Sequence, residues 1–279
     1  MNTAIVYLLN NANKDILNFR QSISLLINHY YLYFPTDIIC FHESDFPTEE
    51  IKFLQKHLRD ISIRFVPILF NIPEYDKSII NKIPKYYPHP DYPESTGFSI
   101  GYRHMCRFFS GEIFKNEHLK KYKYIWRLDT DSYILEPIKY DVFQRLKDNN
   151  SIYGYINIQH DHPGVIKGLW ECSQEYFVSL NKDYIFQPNN IHKHKNRVFY
   201  TNFEICDMDW FSKSEYQDYY NYIDNTGGIY TGRWGDASIR YIAINSLAKP
   251  QELYFYNDIK YYHQQEYFNS HIINTFNGS

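Results

Sequence analysis

The feature that most constrains this chain is an apolar and aromatic run that ends on two aspartates. Residues Tyr122–Leu128 have the composition of a buried β-strand, and Asp129 and Asp131 follow directly. Residues two apart on a strand point to the same side, so both carboxylates can face one ligand. Two hard oxygen donors at the end of a strand suit Mg²⁺ or Mn²⁺ bound to a diphosphate. A solvated turn is the alternative, because two acids at this spacing also occur by chance.

Composition narrows the kind of ligand. The chain has 279 residues and a formal net charge of -3, so no electrostatic argument favours nucleic acid or an anionic membrane as partner. Any phosphate site must therefore be local. The hydrophobic fraction of 44% indicates a globular protein with a large core.

The cysteines and the amino terminus bear on the compartment. Four widely spaced cysteines (Cys40, Cys106, Cys172 and Cys206) form no metal-type pair, although an even number permits disulfides. The opening residues have no basic lead and too short an apolar run for a secretory signal, and no stretch of about 18 apolar residues could span a bilayer. We expect a cytoplasmic protein with no membrane span; a chain trimmed of its anchor would show the same pattern.

Strands and helices alternate along the first 70 residues. Strands are predicted at Ala4–Leu9, Thr36–His42 and Ile61–Leu69, with a helix through Leu17 and Ile27 after the first and another beginning at 46–50 after the second. This alternation predicts an α/β fold whose parallel strands place ligand sites at their carboxyl ends. Further along, we predict a proline-rich surface loop at Asn71–Gly97, a helix at Ser99–Phe114, a strand at Ser151–His160, a helix at Trp170–Leu180 and a polar loop at Asn181–Arg197.

Three charged side chains in these segments are candidates for chemistry. Arg103 and Arg107 are four apart and lie on one helical face, where they could clamp phosphates or simply solvate the surface. Glu204 stands between Phe203 and Ile205, and a carboxylate in an apolar frame needs a partner. It could act on the anomeric carbon of a sugar or form a structural salt bridge.

Two later segments add candidates. Four glycines in Gly227–Ala237 allow tight turns near a ligand. Asp236 in that segment is a candidate N-cap of a helix over Asp236–Leu247, a role compatible with acceptor binding. His263 lies among aromatic residues, where a histidine is either packed and hydrogen-bonded or a ligand.

Taken in this order, the segments resemble the fungal α-1,2-mannosyltransferases of glycosyltransferase family 15. The resemblance runs nearly end to end. The motifs that carry it are the first strand and the segments Asp37–Glu50, Ser99–Gly111, Tyr122–Asp131, Asn202–Asp207, Gly227–Ala237 and Tyr254–His263. Motifs of this length in one order do not arise by chance.

The resemblance implies a GT-A glycosyltransferase fold, with a mixed, mostly parallel central sheet flanked by helices, as a single catalytic domain over residues 1–279. It implies a metal-dependent, retaining enzyme that uses Mn²⁺ or another divalent cation. The implied donor is GDP-mannose, and the implied acceptor is a hydroxyl of a glycan or glycoprotein. The relatives act in the Golgi lumen, whereas we expect this chain, as given, to be cytoplasmic.

The resemblance also implies roles for individual residues. Asp129, Asp131 and His263 match the metal-binding positions, and Glu204 and Asp236 the catalytic ones, with Glu204 at the position proposed for a nucleophile. Donor and acceptor binding falls to Tyr102, Arg103, Arg107, Arg127, Asn202, Arg233 and Trp234.

Several positions depart from the family pattern. Asp129 replaces a longer glutamate, and Thr130 replaces a proline. Asn10 replaces an arginine after the first strand, a change that bears on the nucleotide base. Arg197 and Val198 replace a Cys-His pair, which removes a polar group from the cleft and a disulfide cysteine. Two alternatives therefore stay open: the same fold with another nucleotide-sugar donor, and a non-catalytic nucleotide- or carbohydrate-binding protein.

Overall fold

The computed structural model describes residues 1–85 and 99–269 of the chain. The strands are β1 (Thr3–Leu9), β2 (Asp37–His42), β3 (Ile63–Pro67), β4 (Tyr124–Leu128), β5 (Tyr133–Ile134), β6 (Tyr153–Tyr155), β7 (Ile158–His160), β8 (Arg197–Phe199), β9 (Phe203–Asp207), β10 (Leu253–Phe255), β11 (Tyr261–His263) and β12 (Glu266–Phe268). The α-helices are α1 (Asn13–Leu26), α2 (Thr48–His57), α3 (Lys77–Ile80), α4 (Ile100–Arg107), α5 (Ile113–Lys115), α6 (Val142–Asp148), α7 (Leu169–Ser179), α8 (Pro188–His194), α9 (Met208–Phe211), α10 (Ser214–Asn225), α11 (Gly228–Thr231) and α12 (Asp236–Leu247).

A seven-stranded sheet forms the centre, in the order β10-β6-β9-β4-β1-β2-β3. Strands β4, β1, β2 and β3 run parallel, whereas β9 is antiparallel to both of its neighbours. The predicted mixed, mostly parallel sheet is confirmed. Because β1, β2 and β4 end at the same edge, the residues after Leu9, His42 and Leu128 lie together there.

Both faces of this sheet are covered. Ala4 and Val6 of β1 belong to one buried apolar cluster, and Ile5 and Tyr7 belong to the other, as the alternation of side chains along a strand requires. Helices α1, α2 and α6 contribute to the second cluster, and α7, α10 and α12 contribute to the first. A strand buried on both sides reads as apolar throughout, which is why β1 was visible in the sequence.

A small antiparallel sheet, β12-β11-β5, explains how two distant parts of the chain meet. Tyr262 of β11 pairs with Tyr133 of β5, and Tyr261 pairs with Ile134. Since β5 begins two residues after Asp131 and β11 ends at His263, this register brings those two side chains to the same place.

Several predicted elements need correction. Residues 181–197 are not a loop: they contain α8 and a 3₁₀ turn at Tyr184–Phe186. Helix α8 begins with Pro188 and buries no residue, so its polar composition reflects a surface position. The segment 151–160 forms two strands of different sheets. The helix predicted at 99–114 is interrupted by a π-helical turn, Phe108–Glu112.

Other predictions agree or fall outside the described ranges. Helix α12 has the predicted bounds, but Gly235 is its N-cap and Asp236 is its first residue. The proline-rich loop contains α3, and its residues 86–97 lie outside the described ranges. All four cysteines are free. No helix within 1–85 or 99–269 has the length and apolarity needed to cross a membrane.

Candidate functional site

Two adjoining cavities lie at the carboxyl edge of the central sheet. The first, which we call the strand-end cavity, has a volume of about 470 Å³. It is lined by the residues that follow β1, β2 and β4 and by one face of α4: Leu8, Leu9, Asn10, Asp15, Glu43, Phe70, Ser99, Gly101, Tyr102, Met105, Phe109, Asp129, Thr130, Asp131 and Gln264. Its position is the one expected for a ligand of a parallel sheet.

The second cavity, which we call the helix-start cavity, has a volume of about 390 Å³ and lies at the start of α12. Gly235, Asp236 and Ala237 form part of its wall, together with Asp161, Arg233 and His263. Tyr102, Met105, Asp129 and Gln264 line both cavities. The two spaces are therefore adjacent and share part of their walls.

Asp131 and His263 form a close pair at the strand-end cavity. Nε2 of His263 lies 2.9 Å from Oδ1 of Asp131. Nδ1 of the same imidazole lies 2.7 Å from the hydroxyl of Tyr200 and 3.1 Å from Nδ2 of Asn202. Burial acts to raise the pKa of Asp131, but the interaction with His263 outweighs it and the pKa is lowered. This carboxylate is therefore ionised at neutral pH.

The third proposed metal ligand, Asp129, is oriented differently. Its Oδ1 accepts a hydrogen bond of 3.1 Å from Nε of Arg127. No group of three His, Cys, Asp or Glu side chains that could hold a metal ion occurs within 1–85 or 99–269. Within these ranges Asp131 and His263 come together and Asp129 pairs with Arg127, so a ligand set of all three stays a prediction. Asp129 and Arg127 are two apart, so they extend to the same side and pair with each other.

Asp131 and His263 alone still fit a divalent cation. One carboxylate oxygen and one imidazole nitrogen are ligands of Mn²⁺, and ions of this kind commonly complete their shell with water and substrate phosphates. Nε2 of His263 is buried and forms no hydrogen bond of good geometry with the described residues. Its neighbour is the carboxylate of Asp131, 2.9 Å away, so this nitrogen and that oxygen can both turn to a shared ion.

Asp236 is held by a buried arginine. Nη1 of Arg127 donates to its Oδ2 at 2.5 Å, and the hydroxyl of Thr201 donates to the same oxygen at 2.9 Å. Burial acts to raise the pKa of Asp236, but the charge of Arg127 outweighs it and the pKa is lowered. Arg127 was predicted to bind donor or acceptor. It is 3% exposed, joins the carboxylates of Asp129 and Asp236 and forms part of the wall of the helix-start cavity, so its ligand role stays a prediction.

Glu204 lies deeper and is fully engaged. Arg240 donates to both of its oxygens, from Nε at 3.0 Å and from Nη2 at 3.3 Å, and the hydroxyl of Tyr153 donates at 2.9 Å. Nη1 of Arg240 donates to the hydroxyl of Tyr216, and Nη2 also donates to the carbonyl of Phe109. Glu204 is 2% exposed and is not among the lining residues of either cavity.

Together these side chains form a buried ion-pair web, which we define as Arg127, Asp236, Glu204 and Arg240. Two cations balance two anions, and Nη1 of Arg127 lies 3.6 Å from Glu204, which joins the two pairs. Buried charges are tolerated when they are paired and hydrogen-bonded, as these are. Only Asp236 and Arg127 of this web reach a cavity wall.

The predicted phosphate clamp of Arg103 and Arg107 is not formed. Arg103 is 2% exposed, and its Nη1 donates to the carbonyls of Ile229 and Gly232. Arg107 forms an ion pair of 2.9 Å with Asp224 and lines a different cavity, of about 310 Å³. The spacing placed both on one helix, but that part of α4 faces the α10–α11 region instead of the strand ends.

The helix-start cavity has its own polar cluster. Arg233 lies 3.1 Å from Asp161 and donates to the hydroxyl of Tyr102 at 2.7 Å. Ser238 donates to the same carboxylate at 3.1 Å. The predicted binding residues Tyr102 and Arg233 are therefore brought together at a cavity wall. Asn202 also lines it, beside His263.

Trp234 has a packing role. Its indole Nε1 donates to the carbonyl of Lys167 at 2.8 Å, and the side chain is 8% exposed. A Cβ on Gly228 would lie 2.3 Å from its ring, and Gly227 has a φ of +70°. These glycines therefore let the chain turn and let Trp234 pack closely. No ligand contact is needed to explain them.

Sequence reasoning missed Arg240, Tyr153 and Asp161. Arg240 had a signal, because it stands in the otherwise apolar run of α12, where a charge requires a buried partner. Asp161 follows β7 directly and could have been found as a strand-end acid. No sequence signal distinguished Tyr153, because the chain has 29 tyrosines.

The sheet order and the strand-end cavity define the class of fold, GT-A, the fold of many nucleotide-sugar glycosyltransferases. A sequence profile of the family described as glycolipid 2-alpha-mannosyltransferase matches residues 1–274. The chain belongs to this family, and the resemblance predicted from its motifs is confirmed.

Individual relatives agree. The probable mannosyltransferase KTR3 of Saccharomyces cerevisiae is 36% identical over 176 residues, covering 60% of this chain and 43% of that protein. Glycolipid 2-alpha-mannosyltransferase 2 of Candida albicans is 28% identical over 276 residues, covering 90% of this chain and 56% of that protein. The chain thus spans about half the length of these curated relatives.

Solved structures support the fold. The mannosyltransferase Ktr4p from S. cerevisiae in complex with GDP superposes with a TM-score of 0.80 and 27% identity, covering 95% of this chain and 72% of that one. Core-mannan synthase A from Aspergillus fumigatus, in its Mn/GDP form, gives a TM-score of 0.82 at 23% identity, covering 97% and 77%. At the latter identity the likeness concerns the fold alone.

Proposed function

We propose that this protein is a metal-dependent, retaining mannosyltransferase that transfers mannose from GDP-mannose to a hydroxyl of a glycan or glycoprotein, forming an α-1,2 linkage. The observation that carries the proposal is the Asp131–His263 pair, 2.9 Å apart at the edge of a cavity that adjoins a second one. The family supports the sugar, and the GDP complex of the 27% identical Ktr4p supports the nucleotide.

Asp131 and His263 would hold Mn²⁺ or another divalent cation. When bound, the cation neutralises the negative charge that develops on the departing diphosphate. The strand-end cavity, with Asn10 and Glu43 in its wall, would receive the nucleotide. The acceptor would occupy the helix-start cavity, where Asp161, Arg233 and Tyr102 offer acceptors and donors of hydrogen bonds to sugar hydroxyls.

We assign the carboxylate nearest the reacting sugar to Asp236. It is in the wall of the helix-start cavity, and its lowered pKa keeps it ionised, so it can accept a hydrogen bond from an acceptor hydroxyl. A carboxylate with a lowered pKa is a weak base, so its role is orientation and charge stabilisation more than proton removal. Glu204 would support it from behind, by holding Arg240 and balancing the web.

A donor panel tests the proposal. The protein is incubated with Mn²⁺ and a set of GDP- and UDP-sugars, and release of free nucleotide is measured with and without EDTA. We expect release from GDP-mannose above all others, and only with the metal. Release from another sugar nucleotide would reassign the donor on the same fold.

The non-catalytic alternative makes a different prediction. Asn10 and Val198, which depart from the family pattern, both line the cavities. Saturable binding of GDP-mannose without nucleotide release, also in the presence of simple mannoside acceptors, would overturn the enzymatic proposal and support a binding protein.

A further inference from the structure

The turn between β11 and β12 has a backbone conformation that its sequence does not favour. His263 pairs with Glu266, so Gln264 and Gln265 are the two residues of a tight hairpin turn. Their φ angles are +45° and +71°. Positive φ at both positions is what the type I′ turn requires, and Asn-Gly or Gly-Gly is the usual sequence. Glutamine seldom adopts this left-handed region.

Gln264 stands where the two cavities meet. It lines both the strand-end and the helix-start cavity. Its Nε2 donates a hydrogen bond of 3.3 Å to Oδ2 of Asp131. The other oxygen of that carboxylate, Oδ1, is the one that lies 2.9 Å from His263. The carboxylate of Asp131 is therefore held between two consecutive residues of the turn region, one at each oxygen.

Comparison with Gln265 shows that backbone strain alone does not explain the glutamine at position 264. Gln265 shares the left-handed conformation and, like Gln264, is exposed, but it is not among the lining residues of either cavity. Glycine would relieve the backbone at both positions, but at 264 it would remove the hydrogen bond to Asp131. Residues in sparsely populated backbone conformations cluster at ligand sites, where the surrounding structure holds them in place.

We propose that Gln264 is a positioning residue that fixes the Asp131 carboxylate, so that Oδ1 and His263 form a preorganised pair of ligands for a divalent cation. This inference rests on the proposed function, because it takes Asp131 and His263 as the ligands. Groups that orient a metal ligand typically change metal affinity by 10–100-fold when they are removed. The hydrogen bond here is long, so we expect the lower end, about 10-fold.

The test is Mn²⁺ binding to the full chain without donor, measured from the free-ion signal in electron paramagnetic resonance. The variants are Gln264→Gly, which removes strain and carboxamide, Gln264→Ala, which removes only the carboxamide, and Gln265→Gly, the matched control that removes only strain. Both glycine variants should melt at or above the parent temperature. Both variants at position 264 should bind Mn²⁺ about 10-fold more weakly, and Gln265→Gly should bind as the parent does.

Two results would overturn the inference alone: parental Mn²⁺ affinity in both position-264 variants, or an equal loss of affinity in Gln265→Gly, which would assign the effect to the turn backbone. A parent protein that binds no Mn²⁺ even when GDP is added would overturn the metal-dependent function as well. The failure of the inference is thus distinguishable from the failure of the function.

Discussion

Glu204 and Asp131 are both carboxylates of the predicted site, but their surroundings differ. Glu204 is enclosed: its side chain is 2% exposed, and Arg240 and Tyr153 occupy both of its oxygens. Asp131 is open: its side chain is 25% exposed, it lines a cavity, and its partners are His263 and the long hydrogen bond from Gln264. The first is built into the core, whereas the second can exchange its partners for a ligand.

This difference assigns a structural role to Glu204 and a ligand-binding role to Asp131. A carboxylate fixed by an arginine on two oxygens cannot leave its partners to approach a sugar without exposing a buried charge. A half-open carboxylate beside an imidazole can accept a cation at little expense to the fold. Mutations at Glu204 should therefore act on stability, and mutations at Asp131 should act on turnover.

The largest effect is expected for Asp131→Asn. The change keeps the shape of the side chain and removes its charge, so the cation loses one of its two protein ligands. We expect nucleotide release from GDP-mannose to fall by about 1,000-fold, equivalent to about 4 kcal/mol of transition-state stabilisation. Activity and thermal melting are measured on the same preparation, and melting should change little.

The control is Asp209→Asn, the same chemical change at an aspartate whose side chain is 73% exposed and pairs with Lys123. This variant should keep parental turnover. Parental turnover in Asp131→Asn, with an intact fold, would remove Asp131 from the metal site and leave the two carboxylates without a functional difference.

Next in size is Glu204→Gln. The substitution leaves Arg240 buried with an unbalanced charge, and removing one partner of such a pair costs about 3–5 kcal/mol. We expect about 3 kcal/mol, since the remaining amide oxygen can still accept one hydrogen bond. Denaturant unfolding monitored by circular dichroism measures it. Glu215→Gln, at a surface pair with Lys182 whose glutamate side chain is 62% exposed, should change stability by less than about 1 kcal/mol.

The opposite outcome is equally informative. If Glu204→Gln unfolds at the parental denaturant concentration and binds donor normally, but turns over slower by orders of magnitude, then Glu204 acts on the substrate. The web would then be part of the catalytic machinery, and the contrast with Asp131 would disappear.

The sequence predicted the open region better than the enclosed one. Period-two alternation and the apolar strand were enough to place Asp129 and Asp131 at the end of β4. Such features depend on neighbours in the chain. The approach of His263 to Asp131 depends on the pairing of β5 with β11, which local patterns do not encode, so only the family resemblance indicated it.

For the buried side chains, sequence reasoning placed the residues on their elements but did not find their partners, for a related reason. Helical spacing put Arg103 and Arg107 on one helix but could not say which neighbours α4 would face. Both arginines pack toward the α10–α11 region, where Asp224 and backbone carbonyls take their hydrogen bonds. Partner choice in a buried web depends on three-dimensional packing, so the ion pairs of Arg127 with Asp129 and Asp236 were equally beyond the sequence.

A smaller effect is expected for Tyr153→Phe, which removes one hydrogen bond to Glu204 but no charge. A buried hydrogen bond to a charged group contributes about 1.5–3 kcal/mol, and Arg240 still satisfies the carboxylate, so we expect about 1 kcal/mol. The control is Tyr155→Phe, two residues along β6, whose hydroxyl has no hydrogen bond to the described residues. Equal unfolding free energies for both variants would mean that the Tyr153 hydroxyl adds nothing to the web.

The smallest expected effect is on the pH dependence of the unfolding free energy. The pKa of Asp131 in the folded protein is lowered relative to its ordinary value: burial opposes this, but His263 outweighs it. The ionised group therefore stabilises the fold above the ordinary carboxyl pKa of about 4, and this stabilisation is lost as the pH falls through the lower, folded-state pKa. In metal-free protein, the unfolding free energy of the parent should decline more between pH 6 and pH 3 than that of Asp131→Asn. Parallel declines would show that the open carboxylate gains nothing from His263 before a cation binds.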